Sequence, residues 1–395
     1  MRQRETRREF LQVPAARDAL QSGRRSAAAD QCDRLRGDGG PIVMQFSRRA
    51  MVSQFEIRLP VAAQGAAGGQ NADAELAVEA LEAMDVLEEQ LSFFRPTSEL
   101  NRINRLAAEG PVEVEPELFR LLCLAKDIWR NTEGAFDLTA TPLWQAWGFA
   151  ARSGSMPSDE QITEALWGVG FQFVELDEQR NTVRFSRPGI RLNLGSVGKG
   201  YALDRLAAKL IGGGVGHFLL HGGKSSILAR GSELGQSPSC PEGSETMLAP
   251  REIPREETHS GREPTAGASH FWTIGIPHPW KAGKRVAEIR LRNRAAGTSS
   301  SQFQSFRHKG KVYGHIIDPR TGRPAEGILS ATVLAPTAAL ADALSTAFYV
   351  MGLERSLAYA RAHAEIGTVL LTHSGGSEGV EIHCAGLDDC EFIVP

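Results

Sequence analysis

No apolar run in this chain is long enough to cross a bilayer or to form the core of an export signal. The first fifty residues carry eleven Arg, six acidic residues and Ala-rich patches, so residues 1–48 read as a disordered basic tail. Within that stretch Arg7-Arg8 sits in a twin-arginine context, but Val13-Pro14-Ala15-Ala16-Arg17-Asp18 interrupts the apolar segment such a signal needs. Cysteine is scarce too. The five, Cys32, Cys123, Cys240, Cys384 and Cys390, are odd in number and lack the close spacing of a metal ribbon, which excludes a disulfide framework and structural zinc. There is no basic surplus either: the net charge is −3. The six Trp and seventeen Phe are scattered without aromatic-plus-basic alternation, so no nucleic-acid partner is expected. No internal repeat is visible.

What is present suits a globular chain. With 395 residues, 42% apolar and 23% charged, it can bury a substantial core as one large domain or two. Alternating Phe55, Ile57 and Leu59 predict a strand, and Leu76, Leu81, Met84, Leu87 and Leu91 keep a helical stripe. Further strands are expected at Thr182 to Ser186, Ile190 to Leu194, Phe218 to His221, Phe271 to Ile276, Val286 to Leu291, Val312 to Ile317, Ser330 to Leu334 and Thr368 to Thr372. Helices are expected near 117–131, 199–211 and 337–351. Neighbouring strands with helices between the groups give an α+β fold, mixed or antiparallel sheets with packed helices. Residues 231–270, rich in Pro, Gly, Ser and Glu, read as a surface loop inserted between two strands.

Five segments have residues suited to chemistry. Gly195-Ser196-Val197-Gly198-Lys199-Gly200 follows an apolar stretch and opens a helix, the layout of an anion site with free N–H groups and a cation, or equally of a glycine turn with a solvated Lys. Gly222-Gly223-Lys224-Ser225-Ser226 lacks the P-loop spacing, and its glycines instead allow close backbone approach. Asp342 and Thr346 are four apart in an otherwise apolar helix, which offers two oxygen ligands to Mg²⁺ or, more blandly, a cap-like Asp near the helix start. His315 precedes the sharp turn Asp318-Pro319-Arg320-Thr321-Gly322, as a packed residue or a proton carrier. Phe136 and Asp137, in the turn Gly134 to Thr139, serve as core anchor and cap, or as nucleotide contacts.

Read in order from about Arg49 to Leu353, these segments resemble the FAD:protein FMN transferase family, the thiamine-biosynthesis-lipoprotein-like flavin transferases that attach FMN to subunits of sodium-pumping redox complexes. The resemblance is carried by Phe55-Glu56-Ile57, Ser92 to Asn104 with Ser98-Glu99, Gly134 to Pro142, Lys199 to Asp204, Gly222-Gly223, Thr298-Ser299, His315 to Gly322, and Ala341 to Thr346. It implies a catalytic domain over 49–395, FAD as substrate, and Mg²⁺ held by Asp342, Thr346 and a backbone carbonyl near Gly198. Met51, Phe94, Ala135, Phe136, Asp137, Lys199 and Asp204 would line the FAD pocket, with His315 as base, and FMN would pass to a Thr or Ser hydroxyl of an acceptor protein as AMP leaves. The family commonly works as an exported or membrane-associated protein.

The chain departs from the family pattern at Met51-Val52-Ser53 for Met-Gly-Thr, Phe94 for Tyr, Asn193-Leu194-Gly195-Ser196 for Asp-Leu-Gly-Gly, Gly198 for Ala, and Thr298-Ser299-Ser300 for Thr-Ser-Gly. Rival readings are an FAD pyrophosphatase releasing FMN and AMP, a non-catalytic FAD-binding protein, and a structural scaffold.

Overall fold

The computed structural model describes residues 31–36, 42–61, 67–234, 271–301, 304–374, 379–388 and 391–394. Among them, nine strands form one sheet in the order in which they occur along the chain: Gln31–Arg36, Ile42–Ala50, Ser53–Pro60, Phe218–Gly222, Ser226–Arg230, Arg294–Ser299, Ser330–Ala335, Gly367–His373 and Val380–Ala385. Every neighbouring pair is antiparallel. Residues 61–217 leave the sheet after its third strand, build helices and a small three-stranded sheet, and return.

Alternation along the strands decides which side each layer occupies. Met44 and Phe46, then Phe55, Ile57 and Leu59, then Phe218 and Leu220 all bury on one face, under the helices Ala67–Glu82, Gly198–Gly212 and Ala338–Met351. Leu219, Ile227, Ala229, Ala296 and Leu334 bury on the other, against a second sheet made of Trp272–Pro277, Arg285–Leu291 and Phe392–Ile393. A third apolar cluster around Trp147 joins the helices Thr141–Ala146 and Asp159–Leu166 to the hairpin Ser305–His308 and Lys311–Gly314.

The α+β class and antiparallel pairing agree with the sequence reading, and several details differ. Ile42–Ala50 is a strand paired with Ser53–Pro60 along its length, so the expected tail over 1–48 overreaches: Met44 and Phe46 give the segment a buried face. Residues 1–30 lie outside the described residues, as do 235–270 of the expected inserted loop, which leaves and re-enters between the strands Ser226–Arg230 and Trp272–Pro277. The stripe from Leu76 to Leu91 is divided at Ala83 between Ala67–Glu82 and Met84–Leu91. Ile190 to Leu194 joins no sheet; the side chain of Asn104 takes the place of a strand, accepting from Leu192 N at 2.7 Å and donating to Leu192 O at 2.9 Å. The expected strand Val312 to Ile317 breaks at His315 and Ile316.

The helix Ala338–Met351 is buried on nearly every side, as its run of small and apolar residues predicts. Thr337 caps it by accepting from Leu340 N. Two glycines allow its backbone to come unusually close to its neighbours. A Cβ on Gly200 would lie 2.2 Å from the carbonyl oxygen of Ala338, and one on Gly297 would lie 2.5 Å from the carbonyl carbon of Ala341. Helix meets helix at the first position and sheet at the second, which seats Asp342 between the two.

Candidate active site

A cavity of about 920 Å³ opens beside this junction. Its walls come from both halves of the chain: Phe94, the segment 135–144, Lys199, the Gly223 turn, His315, Asp342 and Thr346. Of the residues singled out from sequence, Phe94, Ala135, Phe136, Asp137, Lys199, His315, Asp342 and Thr346 all line it. Met51, Gly198 and Asp204 do not.

Asp342 is buried, and its Oδ2 accepts from Gly200 N and from Ser226 Oγ, each at 2.8 Å. Its Oδ1 has no hydrogen-bond partner among the described residues. Loss of solvent pushes the carboxyl up to about 6, with Lys199, Ser226 and Gly200 N pulling the other way. Its place in the middle of the junction, bonded across elements, differs from that of a cap on its own helix. One turn further on, the Thr346 hydroxyl bonds Ser299 Oγ at 3.1 Å and donates to Asp342 O at 3.3 Å, so carboxylate and hydroxyl share a helix face.

Lys199 stands in the first turn of Gly198–Gly212, where backbone N–H groups are unpaired within the helix and the dipole is positive. Its ammonium has no hydrogen-bond or ion-pair partner among the described residues. Gly198 lies one layer behind, with Met51 Cε 3.4 Å from where its Cβ would be.

The His315 ring is held by one bond, Nδ1 donating to the carbonyl of Gln304 at 3.0 Å, and the backbone N of His315 donates to the same oxygen at 3.1 Å. A carbonyl only accepts, so in the neutral ring Nε2 is left with a lone pair. Burial, aided by the nearby Lys199 charge, brings the imidazole down to about 4, and it is neutral at physiological pH. The following turn is sharp, as its sequence predicts, with Gly322 N donating to Asp318 O and Arg320 clamping both carboxylate oxygens of Asp318 at 2.8 Å.

Two expected ligand contacts turn out to be occupied by the chain itself. Asp137 Oδ1 accepts from Thr139 N and Oγ1, and Oδ2 from Phe171 N; Phe136 is only 1% exposed, so this pair acts as cap and core anchor at the cavity wall. Asp204 lies outside the cavity lining. Its two oxygens accept from Ala338 N and Ala339 N at 2.8 and 2.9 Å, anchoring the helix that bears Asp342, and burial raises its carboxyl to about 6.

Sequence reasoning missed other contributors. Arg49, Trp144, Asn193, Lys224 and Gln304 line the cavity, and Ser226 orients Asp342. Asn101 fixes the Phe94 loop, donating to Phe93 O at 2.7 Å and Arg95 O at 2.8 Å. The hairpin turn Met51-Val52 is also unusual, since both residues have left-handed φ, 51° and 59°. For non-glycine residues this costs on the order of 1 kcal/mol each, more for a β-branched Val. Val52 is 71% exposed at the cavity mouth.

The profile of the ApbE family matches residues 51–240 and 258–370. The chain is 29% identical over 276 residues to an FAD:protein FMN transferase of Haemophilus influenzae, covering 68% of this chain and 70% of that protein. It is 27% identical over 310 residues to a protein of the same name from Escherichia coli K12, covering 77% and 78%. In three dimensions it is similar to the flavin transferase ApbE from Vibrio cholerae, with TM-score 0.67, 26% identity, and coverage of 87% of this chain and 97% of that one. The ApbE protein of Thermotoga maritima matches at the same TM-score, identity and coverage. The profile runs through every wall of the cavity, from the Met51 turn to the far side of the Asp342 helix, and the chain belongs to the ApbE family.

Proposed function

We propose that this protein is an FAD:protein FMN transferase that uses Mg²⁺ to move FMN from FAD onto a Thr or Ser hydroxyl of an acceptor protein, such as a redox-pump subunit. The observation that carries the reading is one cavity holding three unspent groups: the free Oδ1 of Asp342, the free ammonium of Lys199 and the lone pair of His315 Nε2. At about 920 Å³ it has room for a dinucleotide.

A hard cation fits the donors. Asp342 Oδ1 and the Thr346 hydroxyl, both in the cavity wall, offer oxygen alone, while Gly198 lies behind that wall; a buried carboxyl that keeps its proton to about pH 6 is one that nearby positive charge would ionise. Among the described residues no cluster of three His, Cys, Asp or Glu competes as a metal site. Bound Mg²⁺ would neutralise charge on the pyrophosphate oxygens.

The protein's own part is placement and proton handling. Lys199 and the first turn of its helix face the pyrophosphate with positive charge. His315 Nε2 takes the proton of the acceptor hydroxyl as its oxygen bonds to the FMN phosphorus. The bond from that phosphorus to the bridging oxygen breaks, and its electron pair leaves with AMP.

The test is to incubate the protein with FAD, Mg²⁺ and an acceptor domain bearing a candidate Thr, and to follow AMP release and covalent flavin by mass. Equimolar AMP and bound FMN, lost with EDTA and reduced at least about 10³-fold in Asp342→Ala, supports the proposal. AMP with free FMN and no labelling identifies a pyrophosphatase instead, and intact bound FAD refutes catalysis.

A further inference from the structure

The rim of the cavity contains a tie that none of the chemistry above uses. Glu88 lies on the helix Met84–Leu91, outside the cavity lining. Its Oε2 accepts from Met51 N at 2.9 Å, and its Oε1 accepts from Arg95 Nη2 at 3.0 Å. One carboxylate therefore joins two stretches of the rim.

The first stretch is the left-handed Met51-Val52 turn. It touches the anion-facing elements directly: Met51 Cε is 3.4 Å from where a Cβ of Gly198 would be, and Ser53 Oγ is 3.2 Å from where a Cβ of Gly223 would be. A relaxed turn would shift both contacts. The second stretch carries Phe94, whose ring is 69% exposed at the cavity and whose backbone N–H, with that of Arg95, donates to Ser92 Oγ. An exposed ring in this setting is a stacking surface for a planar ligand. Arg95 has a second, longer bond, to Glu89 Oε1 at 3.5 Å, but of these two carboxylates it is Glu88 that also reaches Met51 N.

We infer that Glu88 is a positioning residue for FAD: its carboxylate holds the strained turn and the Phe94 loop at a fixed separation, so that they form the two lips of the binding cavity. The inference rests on the flavin-transferase reading. It places the benefit of Glu88 in substrate binding and not in the bond-breaking step. Strain kept in place at the edge of a ligand cavity is where such a role is expected.

The experiment measures FAD affinity by quenching of flavin fluorescence, and KM and kcat by AMP release, for wild type, Glu88→Ala, Glu88→Gln and the pair Glu88→Ala with Val52→Gly. Glu88→Ala should weaken FAD about tenfold, the effect of losing one charge-assisted contact, and raise KM with kcat held within about twofold. Glu88→Gln, which keeps an acceptor for Met51 N, should lie between. Adding Val52→Gly should recover most of the loss, because glycine adopts the left-handed turn without support. Unchanged affinity in Glu88→Ala overturns the inference. So does a fall in kcat that Val52→Gly fails to rescue, which assigns Glu88 to general stability. A wild type that does not bind FAD refutes the functional reading itself.

Discussion

Replacing Gly200 by Ala should force apart the two helices that seat Asp342. The added Cβ would lie 2.2 Å from the oxygen and 2.4 Å from the carbonyl carbon of Ala338, both backbone atoms that no rotamer change can move. Ordinary contact needs about 3.5 Å, so the helices must separate by roughly 1 Å. Overpacking of this kind costs about 1–3 kcal/mol. The displacement also stretches three bonds across the same junction, Asp204 to Ala338 N and Ala339 N and Gly200 N to Asp342. Hydrogen bonds to charged groups contribute about 1.5–3 kcal/mol each, and weakening them in part brings the total to the order of 3–5 kcal/mol. Gly212 supplies the control, being the last residue of the same helix with nothing within 4 Å of its would-be Cβ and no left-handed φ. There Ala should stabilise by about 0.5 kcal/mol through propensity. Urea unfolding followed by circular dichroism measures both. A Gly200→Ala variant destabilised by less than about 1 kcal/mol, or shifted in the same direction as Gly212→Ala, would refute the argument that close helix contact builds the site.

Phe94→Ala removes an exposed ring, so it should leave the unfolding free energy within about 0.5 kcal/mol of wild type and weaken FAD binding about tenfold; a change in stability without a change in affinity would contradict that. Asp204→Asn should cost about 2 kcal/mol of stability yet leave FAD affinity within about threefold, since its oxygens face Ala338 and Ala339. Full stability with lost FAD binding would instead restore the ligand contact that the family resemblance implies. Turnover should fall as pH drops through about 6, because Asp342, raised to about 6, takes up its proton before His315, lowered to about 4. Both groups are in their working forms above that limb. More Mg²⁺ should move it to lower pH, since cation and proton compete for one carboxylate; a limb fixed at every concentration would remove Asp342 from the ligand set.

The parts of this molecule that follow a simple periodic pattern were legible in the sequence. Phe55, Ile57 and Leu59 alternate, and Pro116–Asn131, Gly198–Gly212 and Ala338–Met351 keep their apolar faces. Arg294–Ser299 was hidden because a helix lies against it, and packing at that distance demands Ala and Gly where strand propensity favours branched residues. Ser226–Arg230 has buried residues at four successive positions, covered on both faces, so no alternation marks it. Ile190 to Leu194 misled for the opposite reason, its apolar residues being extended while a side chain, Asn104, supplies the pairing. At the site, residue types pointed to Asp342, Thr346, Lys199 and His315. Nothing local separates Asp204, which anchors a helix far along the chain, from a carboxylate aimed at a ligand.

The return of the chain to its sheet after residues 61–217 sets a schedule for synthesis. The hairpin Ile42–Ala50 and Ser53–Pro60 leaves the ribosome early, but the partner for its inner edge, Phe218–Gly222, emerges only after that whole excursion. At about 5–20 residues per second the delay is roughly 8–30 s. Throughout that interval Ser53–Pro60 presents an unpaired row of N–H and C=O groups beside a freshly exposed apolar face, the combination most prone to pairing with a neighbouring nascent chain. Slower translation should therefore lengthen the exposure of that edge and lower the soluble yield of this protein.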